Sequence, residues 1–266
     1  MSQAFEQKNI VVTGATGGIG FEIVKRLKSQ GANVFLVSHD PIALASSLSE
    51  LGLSHDKGVA VDFLQPESIN QVVTMANQVF ANHIDALVNC AGMLSFAPFD
   101  ETDPDLLQAI LQVNLMTPMR LMHSLLPQMK AAGLGHFVNV GSTFGSIGFG
   151  FFAGYSASKF GLRGLSEALR RELEGTGVKV TYVAPRAVKT PLNTDKVYAF
   201  AKKTKMNMDE PAWVAEQVVS AMQQDKKDVY LGFPEKLFAR LNGFLPRLVD
   251  GGLRDQMKQA RELFKG

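Results

Sequence analysis

A tyrosine and a lysine four residues apart are the side chains of this sequence best suited to moving a proton. Tyr155 and Lys159 lie in a segment whose apolar spacing predicts a helix over residues 154–174, so the two side chains share one face of it. A free tyrosine titrates at about pH 10 and exchanges protons poorly near neutrality unless a nearby cation stabilises the phenolate. Lys159 can supply that charge. The pair predicts acid–base chemistry, although the same spacing is also typical of a surface pair.

A glycine-rich turn is the second candidate for chemistry. The sequence TGATGGIG over residues 13–20 follows a short apolar run and precedes a helical pattern, which is the context of a dinucleotide-binding turn. A helix that begins near Gly18 would point its first backbone N–H groups at a phosphate, and residues without a Cβ let that anion come close. The turn predicts a pyrophosphate site; a turn that only reverses the chain is the alternative.

The elements that must position these groups are short apolar runs alternating with longer helical patterns. The runs are residues 10–13, 34–37, 58–61, 86–88, 137–140 and 178–183, and the helical patterns include residues 19–28, 66–80, 104–130 and 154–174. Such alternation predicts βαβ units in a parallel sheet. We expect a doubly wound, Rossmann-type α/β fold, flanked by helices and forming a single domain over residues 1–266.

The part of the chain beyond residue 183 departs from this rhythm. Residues 184–208 mix proline, lysine, methionine and aromatic residues, and a segment of that length is usually functional. We expect a substrate lid loop over residues 191–210. Asp209 could cap the helix that follows, and Pro211 could open it.

An amphipathic extension is expected over residues 233–266. Large apolar residues recur there at helical spacing, with basic residues between them. The apolar positions are Leu237, Phe238, Leu241, Phe244, Leu245 and Leu248, and the basic ones are Lys236, Arg240 and Arg247. Such a segment could cover a substrate pocket, pack between subunits or lie on an anionic membrane surface. The first two roles are favoured over the third.

The composition narrows the classes of partner. The net charge is +2 and no dense block of Lys and Arg occurs, so nucleic acid is not an expected partner. The single cysteine, Cys90, cannot form an intrachain disulfide and is consistent with a reducing compartment. Residues 1–8 are polar and no run of about eighteen apolar residues occurs. We expect a cytoplasmic protein with no metal site, in which membrane association is left open.

The motifs, taken in order, resemble the short-chain dehydrogenase/reductase family. The resemblance covers residues 8–190 and begins with Thr13, Gly14, Gly18 and Gly20 at the spacing of the family's glycine motif. Val61-Asp62-Phe63 is similar to its adenine-contacting segment. Asn89-Cys90-Ala91-Gly92 is similar to its Asn-Asn-Ala-Gly segment, with cysteine at the second position. The resemblance implies a nicotinamide cofactor held by Gly14, Thr16, Gly18, Ile19, Gly20, Ser38, His39, Asp62, Phe63, Asn89, Ala91, Gly92, Tyr155, Lys159, Pro185, Val188 and Thr190.

The same resemblance implies four catalytic residues: Asn114, Ser142, Tyr155 and Lys159. In the reductive direction Tyr155 would protonate the carbonyl oxygen while Ser142 hydrogen-bonds it. Lys159 would also hold the nicotinamide ribose. Asn114 would anchor a water that relays protons to Lys159; a polar residue satisfying a helix kink is the alternative.

The choice between NADP(H) and NAD(H) depends on the end of the second strand, where a carboxylate would bind the free ribose hydroxyl and repel a 2′-phosphate. Ser38 stands where NAD-preferring relatives carry Asp, and His39 stands where many NADP-preferring relatives carry Arg. We therefore favour NADP(H). NAD(H) stays open, because His39 is mostly neutral at pH 7 and Asp40 follows it.

Arg186 departs from the family pattern. The segment 185–190 resembles the family's Pro-Gly-x-Val-x-Thr, with arginine in place of glycine. If the backbone needs positive φ there, arginine is strained, so either the turn differs or the side chain has a use. We hypothesise that Arg186 faces the mouth of the cleft and meets an anionic part of the substrate or cofactor. A solvated surface arginine is the alternative.

The expected cleft is rich in apolar residues: Met93, Leu94, Phe96, Phe144, Ile147, Phe149, Phe151, Phe152, Val197, Tyr198, Phe200, Met206 and Met208, with Ser95 among them. An apolar, lipid-like carbonyl or alcohol is therefore the expected substrate, unless these side chains pack in the core or at a subunit contact. The family resemblance implies a homodimer or homotetramer through the two long helices. A regulatory nucleotide-binding protein or a peripheral membrane protein on the same fold is the alternative function.

Overall fold

A seven-stranded parallel sheet forms the centre of the protein. The computed structural model describes residues 4–265, so residues 1–3 and 266 of the predicted domain lie outside the described residues. The strands run in the order β3-β2-β1-β4-β5-β6-β7. Their bounds are β1 Asn9–Thr13, β2 Asn33–Ser38, β3 Gly58–Ala60, β4 Ala86–Asn89, β5 Gly135–Val140, β6 Val178–Ala184 and β7 Asp228–Tyr230. Every pairing is parallel, which confirms the predicted fold class.

Helices cover both faces of the sheet. Their bounds are α1 Gly18–Ser29, α2 Pro41–Glu50, α3 Ser68–Val79, α4 Pro104–Leu111, α5 Thr117–Ala132, α6 Ala153–Glu172, α7 Asp195–Lys203, α8 Pro211–Gln223, α9 Glu235–Asn242 and α10 Pro246–Glu262. One apolar core packs α1 and α8 against the sheet, and a second packs α3 and α5 against the other face. Because β1 pairs with both β2 and β4, the strand order reverses there. A crevice at the carboxyl ends of these strands is the usual ligand site of such sheets.

The predicted long helix over residues 104–130 is interrupted. Residues Gln112–Met116 form a π-helical turn between α4 and α5. Such turns are often found at functional sites, and this one contains the buried Asn114. The kink considered for Asn114 is therefore present in the helix.

The predicted lid over residues 191–210 is not a loop throughout, because it contains α7. Thr194 caps this helix by accepting a hydrogen bond from the Val197 N–H. The prediction that Asp209 caps α8 is wrong: Glu210 occupies the N-cap position and makes no side-chain cap. The carboxylate of Asp209 binds Arg186 instead. Pro211 does open α8, as predicted.

The C-terminal segment folds into two helices rather than one. The turn over residues 243–245 separates α9 from α10, and the Leu241 carbonyl oxygen accepts hydrogen bonds from the N–H groups of Phe244 and Leu245. We call α9, α10 and this turn the cap hairpin. Among residues 4–265, no helix combines the length and the apolar character needed to span a bilayer.

His136, in β5, is held as a neutral imidazole. Its Nε2 lies 2.8 Å from Thr181 Oγ1, and the Thr181 hydroxyl donates its proton to the Lys226 carbonyl oxygen at 2.7 Å. Since that hydrogen bond uses the hydroxyl proton, Nε2 must be the donor to Oγ1. Burial lowers the pKa of His136 to about 4.

We therefore expect the free energy of unfolding to fall as the pH drops from about 6.5 toward 4. In that range the unfolded chain binds a proton at His136 that the folded chain does not, at a cost of about 2–3 kcal/mol by pH 4.5. Urea denaturation of the wild type and His136→Gln at pH 7 and pH 4.5 measures this difference. An equal loss of stability in both proteins would contradict the prediction.

Candidate active site

The glycine-rich turn after β1 packs directly against the loop after β4. Gly14 has φ +64°, and a Cβ built on it would lie 2.8 Å from both Cα and N of Ala91. Thr13 Oγ1 accepts hydrogen bonds from the N–H groups of Cys90 and Ala91, at 3.1 and 3.2 Å. The turn and the Asn89–Gly92 segment therefore form one wall of the crevice, as their resemblance to family motifs implies.

The start of α1 offers backbone donors at this wall. Gly17 is the N-cap residue and provides no side-chain cap, so the first N–H groups of α1 have no capping side chain. Uncapped N–H groups at a helix N-terminus bind phosphate well. A Cβ on Gly18 would lie 2.9 Å from Thr190 Cγ2, which shows how narrow this end of the crevice is. These features fit a dinucleotide, whose pyrophosphate Gly18, Ile19 and Gly20 would hold.

The carboxylate that follows β2, that of Asp40, takes part in a helix cap. Asp40 caps α2, because its Oδ1 accepts hydrogen bonds from the N–H groups of Ile42 and Ala43. The Ser38 hydroxyl is buried and lies 2.8 Å from Thr16 Oγ1. His39 is exposed. Of these three residues, His39 alone presents an unengaged polar side chain to solvent.

Some of the remaining predicted cofactor residues are engaged within the protein or lie in an exposed turn, and the others line the crevice. Asp62 follows β3 in an exposed turn and accepts a hydrogen bond from the Leu64 N–H, while Phe63 is buried. Asn89 points into the sheet and donates to Asn139 Oδ1 at 2.8 Å. The side chain of Asn89 is therefore used within the protein. The other members, Gly92, Pro185, Val188 and Thr190, lie along the crevice between the β4 loop and the segment after β6.

Three of the four predicted catalytic residues meet at the carboxyl end of β5. Ser142 follows β5, and Tyr155 and Lys159 lie on α6, with Lys159 one turn further along. The Ser142 hydroxyl accepts a hydrogen bond from the Phe144 N–H at 3.1 Å, and Ser142 and Tyr155 both line the same cavity. Lys159 Nζ donates to the Val140 carbonyl oxygen at 3.0 Å and lies 5.7 Å from the centroid of the Tyr155 ring.

Burial dominates the titration of this group. It raises the pKa of Tyr155 to about 12, against the opposite effect of the nearby Ser142 hydroxyl, and it lowers the pKa of Lys159 to about 8. The lysine amine donates to the Val140 carbonyl oxygen, and burial outweighs any acidifying effect on the phenol, so the effect expected of Lys159 on Tyr155 stays a prediction. A neutral phenol is nonetheless the form that donates a proton to an oxygen.

The Cys90 thiol also lies near Lys159. Burial raises the pKa of Cys90 to about 12, so the thiol is neutral at ordinary pH. The cysteine that replaces the family's second asparagine therefore adds no charge beside Lys159.

Asn114 fixes the segments that carry these catalytic residues through hydrogen bonds. Its Oδ1 accepts from the Met93 N–H at 2.7 Å, and its Nδ2 donates to the Met93 carbonyl oxygen and to Ser158 Oγ at 2.8 and 2.9 Å. The side chain is fully buried and both of its amide hydrogens are used. It ties the π-helical turn to α6 and to the β4 loop, which makes a positioning role the best-supported one.

A cavity of about 370 Å³ opens beside Tyr155. It reaches Ile19 at the start of α1, and Leu94, Phe144, Ile147, Phe149, Phe152, Val197, Phe200 and Met206 line it as expected. Met93, Ser95, Phe96, Phe151, Tyr198 and Met208 do not. Phe96 packs behind the wall, stacked on Phe152 with a centroid separation of 4.6 Å.

The cap hairpin closes the cavity. Covering a substrate pocket was one of the roles that the sequence left open for this segment. Phe238, Val249, Leu253 and Gln256 of the hairpin contribute to its lining, together with Pro234 just before it. The helical spacing of apolar residues in this segment was the available signal. It did not reveal which face turns inward, because apolar residues occur on both faces of α9.

Arg186 joins the wall of the cavity to the cap hairpin through salt bridges. The Asp209 carboxylate accepts from Nε and from one terminal nitrogen, at 2.8 to 3.1 Å, and Glu235 accepts from the other at 3.2 Å. The backbone of Arg186 does not have positive φ, so the turn differs from a glycine turn without strain. Arg186 lines the cavity, but Asp209 and Glu235 already bind its guanidinium. It is therefore neither a solvated surface arginine nor a free partner for an anionic part of the substrate or cofactor.

A phenol and a hydroxyl that face a crevice able to hold a dinucleotide can protonate or deprotonate an oxygen while a hydride reaches the adjacent carbon. This arrangement defines a nicotinamide-dependent oxidoreductase. The family model described as short chain dehydrogenase matches residues 8–199. The chain belongs to the short-chain dehydrogenase/reductase family.

Individual relatives agree with this assignment. Dehydrogenase/reductase SDR family member 7B of Bos taurus is 31% identical over 240 residues, which cover 85% of this chain and 73% of the relative. A short-chain dehydrogenase from Streptomyces avermitilis has a similar structure, with a TM-score of 0.77, 29% identity and coverage of 96% of this chain and 97% of that one. A metagenomic short-chain oxidoreductase in complex with NADP has a TM-score of 0.71 and 29% identity, covering 86% and 98%.

Proposed function

We propose that this protein is an NADP(H)-preferring enzyme that interconverts a carbonyl and an alcohol on an apolar, lipid-like substrate. One observation carries the proposal. Tyr155 and Ser142 are polar groups in the wall of a cavity of about 370 Å³ whose neighbouring side chains are largely aromatic and aliphatic. A cavity of that kind suits a long apolar molecule with one reactive polar group.

The residues of the chain divide the work as follows. Ser142 and Tyr155 hold the carbonyl oxygen, and Tyr155 gives it a proton as negative charge develops. The bound nicotinamide supplies the hydride. Lys159 holds the ribose and, as an ammonium below its pKa of about 8, stabilises the negative charge left on Tyr155. Asn114 holds α6 and the β4 loop in place relative to each other.

The preference for NADP(H) is supported by the end of β2. Asp40 is the N-cap of α2, where the positive end of the helix dipole offsets part of its negative charge, and His39 is exposed. The relative solved with NADP adds support.

His39→Arg is expected to raise the ratio of kcat/KM with NADPH to kcat/KM with NADH by about tenfold. Arginine would add one charge-assisted hydrogen bond to the phosphate, worth about 1.4 kcal/mol. Steady-state kinetics with each nucleotide measure the ratio. His55→Arg is the matched control, since His55 is also exposed but lies in the turn before β3. An unchanged ratio in His39→Arg would remove this residue from cofactor selection.

The function itself is tested by the oxidation of NADPH and NADH with unbranched aldehydes and ketones of increasing chain length. We expect kcat/KM to rise with length, by up to about fourfold per methylene group buried, until the cavity is filled. Oxidation of neither nucleotide by any compound would refute the proposal. Tight nucleotide binding without turnover would favour the regulatory alternative.

The proposal includes a cytoplasmic location and self-association into a dimer or tetramer. Leu111, Met116 and Phe160 are large apolar side chains that are partly exposed on or beside the two long helices. Members of the family commonly associate through these helices, which supports this surface as the subunit contact.

A further inference from the structure

The cap hairpin and the residues just before it expose an unusual amount of apolar surface. Of the sixteen large apolar side chains that are exposed in residues 4–265, six lie within residues 233–248. They are Phe233, Leu237, Phe238, Phe244, Leu245 and Leu248. Clustered exposed apolar residues of this kind mark an interaction site more often than a chance feature.

This exposed face is separate from the face that closes the cavity except at Phe238, which lines the cavity and is also partly exposed. Ala239 and Val249 are buried against the body of the protein, and Asn242 donates to the Ser146 carbonyl oxygen. Phe244 and Leu248, by contrast, are 85% and 63% exposed. The packing of the hairpin is therefore complete without them, and their apolar character needs another explanation.

The charges beside this face are basic. Lys236, Arg240 and Arg247 are exposed, and none of them forms a salt bridge within the described part of the chain. The acidic residue of the same stretch, Glu235, is turned inward to Arg186. The next acidic residue along the chain, Asp250, lies beyond Leu248.

The combination of apolar and basic groups distinguishes between occupants. A second copy that met this face across a two-fold axis would bring its own basic set, Lys236, Arg240 and Arg247, to the same interface, and the repulsion between the two basic sets costs free energy. An anionic lipid surface offers an apolar layer for Phe244 and Leu248 and phosphate groups for the three basic residues.

We infer that the outer face of the cap hairpin docks on an anionic membrane surface, with Phe244, Leu245 and Leu248 entering the interface and Lys236, Arg240 and Arg247 contacting lipid phosphates. The inference does not depend on turnover, so it can fail while the proposed function holds, and the reverse. If both hold, docking brings the cavity wall formed by the hairpin next to the lipid phase.

Flotation of the purified full chain with vesicles tests this inference. The vesicles are phosphatidylcholine alone and phosphatidylcholine mixed with phosphatidylglycerol. We expect the wild type to float with the mixed vesicles and much less with phosphatidylcholine alone. The double variant Phe244→Glu, Leu248→Glu should partition about tenfold less. Ile42→Glu is the matched control, because Ile42 is 81% exposed on α2, and it should float like the wild type.

Charge reversal is a second and independent arm. Lys236→Glu combined with Arg240→Glu should abolish the dependence on phosphatidylglycerol while the melting temperature stays close to that of the wild type, since both residues are exposed. Absence of wild-type flotation, or equal flotation of the wild type and both double variants, would overturn the inference. A dimer in sedimentation velocity that Phe244→Glu, Leu248→Glu dissociates, without flotation of the wild type, would assign the face to a second copy and also overturn it.

Discussion

Tyr155→Phe is expected to lower kcat/KM for carbonyl reduction by about a thousandfold or more, because general acid catalysis contributes about 10²–10⁴ to such rates. Tyr155 has a pKa of about 12, and hence a bound proton at neutral pH, and it lies with Ser142 in the wall of the cavity. Phenylalanine keeps the ring, which contacts Phe144 edge-on. Nucleotide oxidation with the best substrate of the chain-length series measures the loss.

Tyr230→Phe is the matched control for this change. Tyr230 loses a hydrogen bond to a serine, since its hydroxyl lies 3.0 Å from Ser146 Oγ, but it is not part of the cavity lining. It should keep most of the wild-type rate. Both variants should bind NADPH as the wild type does. A Tyr155→Phe enzyme with near wild-type turnover would mean that another group donates the proton.

Gly20→Ala is expected to lower the free energy of unfolding by about 2–4 kcal/mol, the range for overpacking at a rigid site. A Cβ at this position would lie well inside contact distance of the Gly14 carbonyl oxygen. Neither group can move easily, because Gly14 in turn packs against the Ala91 backbone. The first turn of α1 should shift, so nucleotide binding should weaken as well. Urea denaturation and fluorescence titration with NADPH measure the two effects.

Gly17→Ala separates strain from a general effect of alanine in this turn. A Cβ on Gly17 would lie 3.4 Å from the same oxygen, and its φ of −80° suits any residue. We expect stability to change by less than about 1 kcal/mol. Equal destabilisation by the two substitutions would show that the close approach at Gly20 is not the cause.

The sheet was predictable because its strands are buried on both faces and carry continuous apolar runs. β7 was missed, since it has three residues, Asp228–Tyr230, and none of them is buried. The start of α2 could have been found, because Asp40 before Pro41 is a typical helix opening. Elements with strong local signals were therefore the predictable ones.

The candidate site was predictable only in part. The spacing of Tyr155 and Lys159 followed from helical geometry, and the assignment of Ser142 and Asn114 came from the family resemblance. The raised pKa of Tyr155 depends on burial by residues distant in sequence. The salt bridges of Arg186 likewise join it to residues 23 and 49 positions away, Asp209 and Glu235. Such long-range contacts leave no periodic signal in the sequence.

The aromatic wall behind the cavity has a consequence for synthesis of the protein. Phe264 packs on Phe96 and Phe151, with centroid separations of 5.1 and 5.3 Å. A chain emerging from the ribosome therefore carries both rings without this partner until Phe264 has left the exit tunnel, and exposed apolar surface of this kind invites aggregation. Nascent-chain chaperones should therefore bind chains in which Phe264 has not yet emerged, and the wall should close once this residue is free to pack.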